Sequence, residues 1–326
     1  MVPAQASIER FEADLDALIE PASRFGIAVS GGPDSLALLL LCAAARPGDV
    51  EAATVDHGLR PENRAEAEKV ADLCAPLGVP HATLRIDWDL PPSSAIQEQA
   101  REVRYGALAR WMDDRGLTVL VAGHQLDDQA ETLLMRLRRG AGARGLAGMR
   151  PLTGVPGRPD LQLARPLLGW RRTELEQVCA DAAVAPVRDP SNEDERHERV
   201  RVRRALAEAG WLDPESLARS ASHLAEADDA IEWAAALEWT RFAEYREGEI
   251  AYRPSNAPNE ILRRIAARAV AELGSEGSPD ELRGGELDRL VEALVEGRTV
   301  TLRGVRCSGD EEWRFAPAAK RSRLNS

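Results

Sequence analysis

Three short stretches carry residues whose types and spacing can do chemistry. The first is Ser30-Gly31-Gly32-Pro33-Asp34-Ser35, between an apolar run ending at Val29 and another starting at Leu36. Two glycines let the backbone turn sharply and aim its amide N–H groups at one spot. Pro33 suits the first position of a helix, whose N-terminal partial positive charge points the same way. Such a turn is a site for a phosphate. It is not the common P-loop, which needs a Lys after its last glycine, because Lys69 is the first lysine in the chain. Asp34 is the unusual member, since a carboxylate repels phosphates unless a metal lies between them. An ordinary strand-to-helix turn of small residues is the competing reading.

The second stretch is Gly123-His124 followed by Asp127, Asp128 and Glu131. Spacings of three and four gather these carboxylates near the start of a helix. Acids there complement the helix dipole, which is reason enough for them structurally. Grouped carboxylates can also bind a cationic amine or Mg2+, and a histidine at 124 could move a proton. The third stretch, residues 136–148, is rich in glycine and arginine. Its Arg136, Arg138, Arg139 and Arg144 suit phosphates and unpaired bases, with a solvated surface loop as the alternative. A second basic patch, Arg199, Arg201, Arg203 and Arg204, follows a turn and cap cluster at 188–194.

The elements that must position these residues follow from periodicity. Residues 25–29, 50–55, 81–86 and 118–122 read as strands, with one more at 161–168. Helical patterns fall between them, at 61–77 and 94–115 among others. That alternation predicts a parallel sheet with helices on both faces, where ligands bind beyond the carboxyl ends of the strands. The glycine turn, Asp56-His57 and Gly123-His124 all follow strand ends and should face one crevice. From about residue 205 the pattern is helical, with a stripe from Leu217 through Phe242 to Tyr245 and further helices around Ile265 and Leu290. A small hairpin is expected at 299–306 and 312–315. The predicted domains are 1–206, carrying the chemistry; 207–298, a helical module for positioning something or for self-association as a homodimer; and 299–326, a short hairpin and tail.

Composition narrows the class. The chain has 326 residues, 44% hydrophobic and 29% charged, enough for two domains with real cores. It holds no apolar run of membrane-span length and no signal-peptide layout, so a cytoplasmic protein without a membrane partner is expected. The four cysteines are far apart with no CxxC pair, which argues against a disulfide framework or a metal–sulfur site. Net charge is −12, yet residues 136–172 hold nine arginines against the single acid Asp160. Charge is therefore uneven, and this stretch suits an anionic partner.

The glycine turn with its Asp resembles the pyrophosphate loop of the ATP pyrophosphatase superfamily, whose members split ATP between its α- and β-phosphates. With SGGPDS, VDHGLRPENRAEA, the 97–105 segment, GHQLDDQAETLLMRLRRGAGARGLAGM, RPLLGWRRTEL and RDPSNEDERHERVRVRR in one order, residues 24–206 resemble the bacterial tRNA(Ile)-lysidine synthetase family. The resemblance implies an α/β, Rossmann-like (adenine nucleotide alpha hydrolase-like) sheet followed by a smaller, mainly helical domain. It also implies a reaction. ATP adenylates the carbonyl oxygen at carbon 2 of the wobble cytidine of an isoleucine tRNA with a CAU anticodon, releasing pyrophosphate. Free lysine then attacks that carbon and displaces AMP. Under this resemblance Ser30, Gly31, Gly32, Pro33, Asp34 and Ser35 bind ATP, with Asp34 on Mg2+. Asp128 and Glu131 recognise lysine, and one of them or His124 takes its proton. Arg104 neutralises charge on the α-phosphate or base, and one arginine of 199–203, taken as Arg201, reaches the site. Arg136, Arg138, Arg139 and Arg144 grip the anticodon stem-loop. A cytidine thiolase of the same superfamily and a non-catalytic RNA-binding scaffold are the alternatives. Many family members continue past the final hairpin with a further domain, and this chain ends near it.

Overall fold

Alternation along the strands explains the main sheet. In the computed structural model, which describes residues 1–58, 62–86, 96–186, 196–274, 282 and 284–318, the elements run in chain order as follows. They are α1 (Gln5–Asp16), β1 (Phe25–Ala28), α2 (Pro33–Ala45), β2 (Val50–Asp56), α3 (Glu62–Leu77), β3 (His81–Arg85), α4 (Ile96–Arg115) and β4 (Val119–Ala122). There follow α5 (Leu126–Arg138), α6 (Ala143–Leu146), β5 (Leu152–Val155), β6 (Arg158–Ala164), α7 (Arg172–Asp181), α8 (Glu198–Glu208) and α9 (Pro214–Phe242). The chain ends with β7 (Ala243–Arg246), β8 (Glu249–Tyr252), α10 (Asn259–Leu273), α11 (Gly284–Val295), β9 (Thr299–Leu302), β10 (Val305–Ser308) and β11 (Trp313–Pro317). The expected turn at 188–194 and most of the link at 274–285 lie outside the described residues.

The chain divides into two units, residues 1–138 with 148–221, and residues 139–147 with 222–326. In the first, six strands lie in the order β3-β2-β1-β4-β6-β5, all parallel except the edge strand β5, which turns back along β6. Successive side chains point to opposite faces. Phe25, Ile27, Val50, Ala52, Val119 and Val121 join α1, α2 and α7 in one core. Ala53, Leu120, Ala122 and Leu163 meet Tyr105, Leu108, Trp111 and Met112 of α4 in another. Both faces are covered, as a parallel sheet requires. Helix α2 is buried along most of its length, which is why its sequence is apolar all round rather than striped. Gly26 has no Cβ because the Trp111 ring lies there; a Cβ would meet it at 2.6 Å. That contact pins α4, and Arg104 sits two turns nearer the helix start, toward the carboxyl ends of the strands.

The second unit has its own core. Trp239, Tyr252, Leu262, Ile265, Leu294, Trp313 and Phe315 are buried together, with Tyr252 edge-on to Trp313 at 5.6 Å. Here the structure corrects the periodicity reading: the helical stripe stops at Phe242, and Tyr245 lies on β7. The predicted hairpin strands are present, but as part of an antiparallel sheet of order β7-β8-β11-β10-β9. Short strands such as Glu249–Tyr252 offer too few residues for an alternation to stand out. No helix of the described residues is long and apolar enough to cross a membrane. The four cysteines are free and buried, on α2, α3, α7 and β10.

Candidate active site

The glycine turn connects β1 to α2 at the centre of the sheet, where chain order reverses between β2 on one side and β4 on the other. Open α/β sheets bind ligands at such a point. Gly31 takes a left-handed φ of +84°, and Gly32 caps the helix in extended conformation with Pro33 and Asp34 in the first turn. Ser35 Oγ accepts from the Ser30 N–H (3.1 Å) and donates to the Gly32 carbonyl (3.0 Å), closing the loop on itself. The cradle is therefore held without any ligand.

Asp34 faces a neighbouring acid. Burial first, then the charge of Asp128, pushes its carboxyl up to about 6, although Arg172 and Arg203 pull the other way. Its Oδ1 is buried without a hydrogen-bond partner. An unpartnered carboxylate oxygen beside a second carboxylate and a phosphate cradle fits a divalent cation, with oxygen ligands and room for phosphates.

Helix α5 starts with a reciprocal cap. The Gln125 side chain accepts from the Asp127 N–H, and Asp128 Oδ2 accepts from the Gln125 N–H at 3.2 Å. One oxygen of Asp128 is thus structural, while Oδ1 lies 3.9 Å from Arg172. Burial raises the Asp128 carboxyl above the usual range. Asp127 serves the next helix instead, accepting from the Arg172 N–H (2.9 Å) and the Arg171 guanidinium (3.3 Å) at the start of α7.

Glu131 is 1% exposed and enclosed by arginines: Arg203 at 2.7 Å, Arg199 at 3.3 Å and Arg172 at 3.4 Å. In this state it anchors cations rather than presenting an open carboxylate. Arg199 and Arg203 are four apart on α8, hence on one face. Arg201, singled out from sequence, is not in this cluster. Two residues from Arg199 place it about 200° around the helix, where it is exposed and donates to the Arg196 carbonyl at 3.0 Å. Of the α8 arginines, Arg203 acts electrostatically on Glu131, Asp128 and Asp34 together, as Arg172 does from α7. The i, i+4 step was readable in sequence, but only the packing of α8 on α5 selects the inward face.

His124 follows β4. Burial, then Arg165, Arg104, Arg101 and Arg199, hold its imidazole down to about 3. It is neutral near pH 7 and unsuited to take a proton from an ammonium group. Its Nδ1 is buried without a partner. Arg104 lies over the Tyr105 ring at 5.0 Å and also depresses His57, so α4 delivers it to the same strand ends as His124.

Among the arginines of the basic loop, Arg138 is exposed and pairs with Glu198 at 3.1 Å, and Arg136 donates to the Gly148 carbonyl at 3.1 Å. Arg139 and Arg144 are exposed and belong to the second unit. Other members of the basic stretch are paired with acids, most of them from outside it. Arg158 pairs with Asp113 and Asp160, and Arg171 with Asp127 and Glu215. Three residues of the site were given no role of their own from sequence: Arg172, Gln125 and the buried Arg165. Each acts through a contact distant in the chain or through a cap that Gln rarely makes.

Sheet order, glycine cradle and carboxylate-bearing helix define a nucleotide-binding α/β domain of the PP-loop class, and the PP-loop domain family model (ATP_bind_3) matches residues 3–209. Curated relatives named tRNA(Ile)-lysidine synthase include one from Novosphingobium aromaticivorans, 49% identical with 95% of this chain and 93% of that one covered. Another, from Zymomonas mobilis, is 40% identical, covering 93% of this chain and 92% of its own. The chain belongs to the tRNA(Ile)-lysidine synthase family. Among solved structures, the U34-tRNA thiolase of Methanococcus maripaludis matches with a TM-score of 0.55 at 18% identity, over 68% of this chain and 80% of that one. That likeness is one of fold.

Proposed function

We propose that this chain ligates free L-lysine to carbon 2 of the wobble cytidine of tRNA(Ile) with a CAU anticodon, through an adenylated cytidine, at the expense of ATP. The names of its relatives support the reaction. The observation that carries the chemistry is that the end of β4, which leads into the acid-bearing helix α5, packs on the phosphate cradle, so that a Cβ on Gly123 would stand 3.0 Å from the Asp34 carbonyl oxygen.

The amides and hydroxyls of residues 30–35 hold the β- and γ-phosphates of ATP. Asp34 holds Mg2+, which when bound offsets phosphate charge. In the first step the cytidine O2 attacks the α-phosphorus and the bond to pyrophosphate breaks. Arg104 and neutral His124 donate to oxygens on which charge develops. In the second step the lysine ε-nitrogen attacks carbon 2, the C2–O bond breaks and AMP departs with the oxygen. Asp128 Oδ1 orients the ammonium group and receives its proton, a role its raised carboxyl suits. Glu131 holds Arg172, Arg199 and Arg203 around the phosphates. Arg136, Arg138, Arg139 and Arg144 contact the anticodon stem-loop, and acting on tRNA places the protein in the cytoplasm.

The test is ATP turnover with transcribed isoleucine tRNA carrying a CAU anticodon. Pyrophosphate release should require tRNA, and AMP release should require free lysine as well. AMP formation indifferent to lysine would defeat this reading and favour another PP-loop chemistry.

A further inference from the structure

Arg46, Arg165 and Arg264 are the buried arginines among the described residues. Two of them are caged by acids: Arg46 by Glu12 and Asp16, Arg264 by Asp228, Glu232 and Glu260. Arg165 is 7% exposed, and no carboxylate among the described residues pairs with it. Its Nη1 donates to the Arg150 carbonyl at 2.7 Å and to Thr153 Oγ1 at 3.1 Å, both neutral acceptors, while its Nε is buried with no partner. A buried charge without a counter-charge is costly, and proteins ordinarily pair it.

Its position in the sheet limits where an anion could reach it. Arg165 directly follows β6, and Ala164 stands in register with Val121 of β4. The guanidinium therefore flanks the point where β4 gives way to Gly123 and His124, one strand further from the glycine cradle. His124, on which Arg165 acts electrostatically, has its Nδ1 buried and unpartnered. Arg101 and Arg104 add charge of the same sign, and Arg165 and Arg101 act on one another. Positive charge thus gathers around the buried Arg165 and His124, with no acid paired to Arg165 among the described residues.

We propose that Arg165 anchors a phosphate at the carboxyl end of β6, separate from the glycine cradle. This rests on the proposed function only in that both candidate sources, the α-phosphate of ATP and a backbone phosphate of the RNA strand, are brought by its substrates. The hydrogen bonds to Arg150 and Thr153 then serve to hold the guanidinium plane in place.

The experiment measures equilibrium binding of Mg–ATP and, separately, of an unmodified anticodon stem-loop RNA to the wild-type chain, Arg165→Gln and Arg165→Lys. Loss of a charge-assisted hydrogen bond should weaken one ligand by roughly 10- to 100-fold in Arg165→Gln, with Arg165→Lys recovering part of it. Weakened ATP identifies the α-phosphate; weakened RNA, with a salt dependence shallower by about one phosphate contact, identifies the strand. Unchanged affinity for both overturns the proposal and leaves Arg165 as a brace for β5. Should Arg165→Gln fail to fold, wild-type protein labelled with 15N-arginine decides instead. The Arg165 Nε resonance should move on adding one ligand, and no movement with either overturns the proposal. Wild-type turnover of ATP, tRNA and lysine is assayed alongside, so a failure of the proposed function is seen separately.

Discussion

Gly123 and Asp34, distant in the chain, touch backbone to backbone: a Cβ on Gly123 would stand 3.0 Å from the Asp34 carbonyl oxygen and 3.3 Å from the Ser35 Cα. The end of β4 thereby presses on the first turn of α2. This contact sets the glycine cradle and the carboxylates of α5 at one mouth, because α5 begins three residues further on.

Gly123→Ala should therefore injure the site from a position without functional groups. The methyl group must push α2 away from β4, an overpacking cost of about 1–3 kcal/mol. Urea unfolding should show that loss, and Mg–ATP affinity should fall with it. An alanine variant with unchanged ATP affinity would separate the cradle from β4.

Asp34→Asn should trade function for stability. With its folded carboxyl at about 6, above the ordinary carboxylate value, Asp34 favours folding while protonated and loses that contribution as pH rises from about 4 through 6. The loss is roughly 2–3 kcal/mol at most. The asparagine variant should thus be more stable than wild type at pH 8, equal to it near pH 4, and inactive. Mg2+ should stabilise wild type alone. An equal stability difference at both pH values would contradict the assignment.

Glu131→Gln and Asp128→Asn should differ, although sequence treats the two acids alike. Removing the Glu131 charge frees three arginines that solvent partly reaches, so we expect a stability loss of about 1.5–3 kcal/mol and damage to both chemical steps. Asp128→Asn keeps a cap acceptor and should mainly raise the lysine KM. Measuring tRNA adenylation without lysine separates the steps, and equal loss in both for Asp128→Asn would remove it from the amine pocket.

Arg203→Ala should reduce turnover by at least an order of magnitude, whereas Arg201→Ala should leave turnover near wild type. The reasoning is the helix face: Arg203 bonds Glu131 at 2.7 Å and Arg201 faces outward. Turnover assays on the two variants check it.

Replacing Arg138, Arg139 and Arg144 together should weaken tRNA binding and flatten its salt dependence by up to about three phosphate contacts. Titration at several salt concentrations measures that slope. No change would return the loop to a surface role.

Much of this molecule was legible in one dimension. Strand–helix alternation fixed a parallel sheet, and ligand residues placed just after strands were bound to gather at one edge, since parallel strands all end on the same side. The Ser30–Ser35 turn, Arg104, His124 and Asp128 were singled out that way. What only the tertiary structure decided was which charges already have partners. The basic run of 136–172 proved partly neutralised by Asp113, Asp127 and Glu215, acids that no window of that stretch contains. Glu131 proved to be the hub of an arginine cluster, Arg203 rather than Arg201 faces it, and burial with nearby arginines holds the His124 imidazole down. Local sequence dictates side-chain type and backbone turn, but protonation and pairing depend on burial and on neighbours brought from far along the chain.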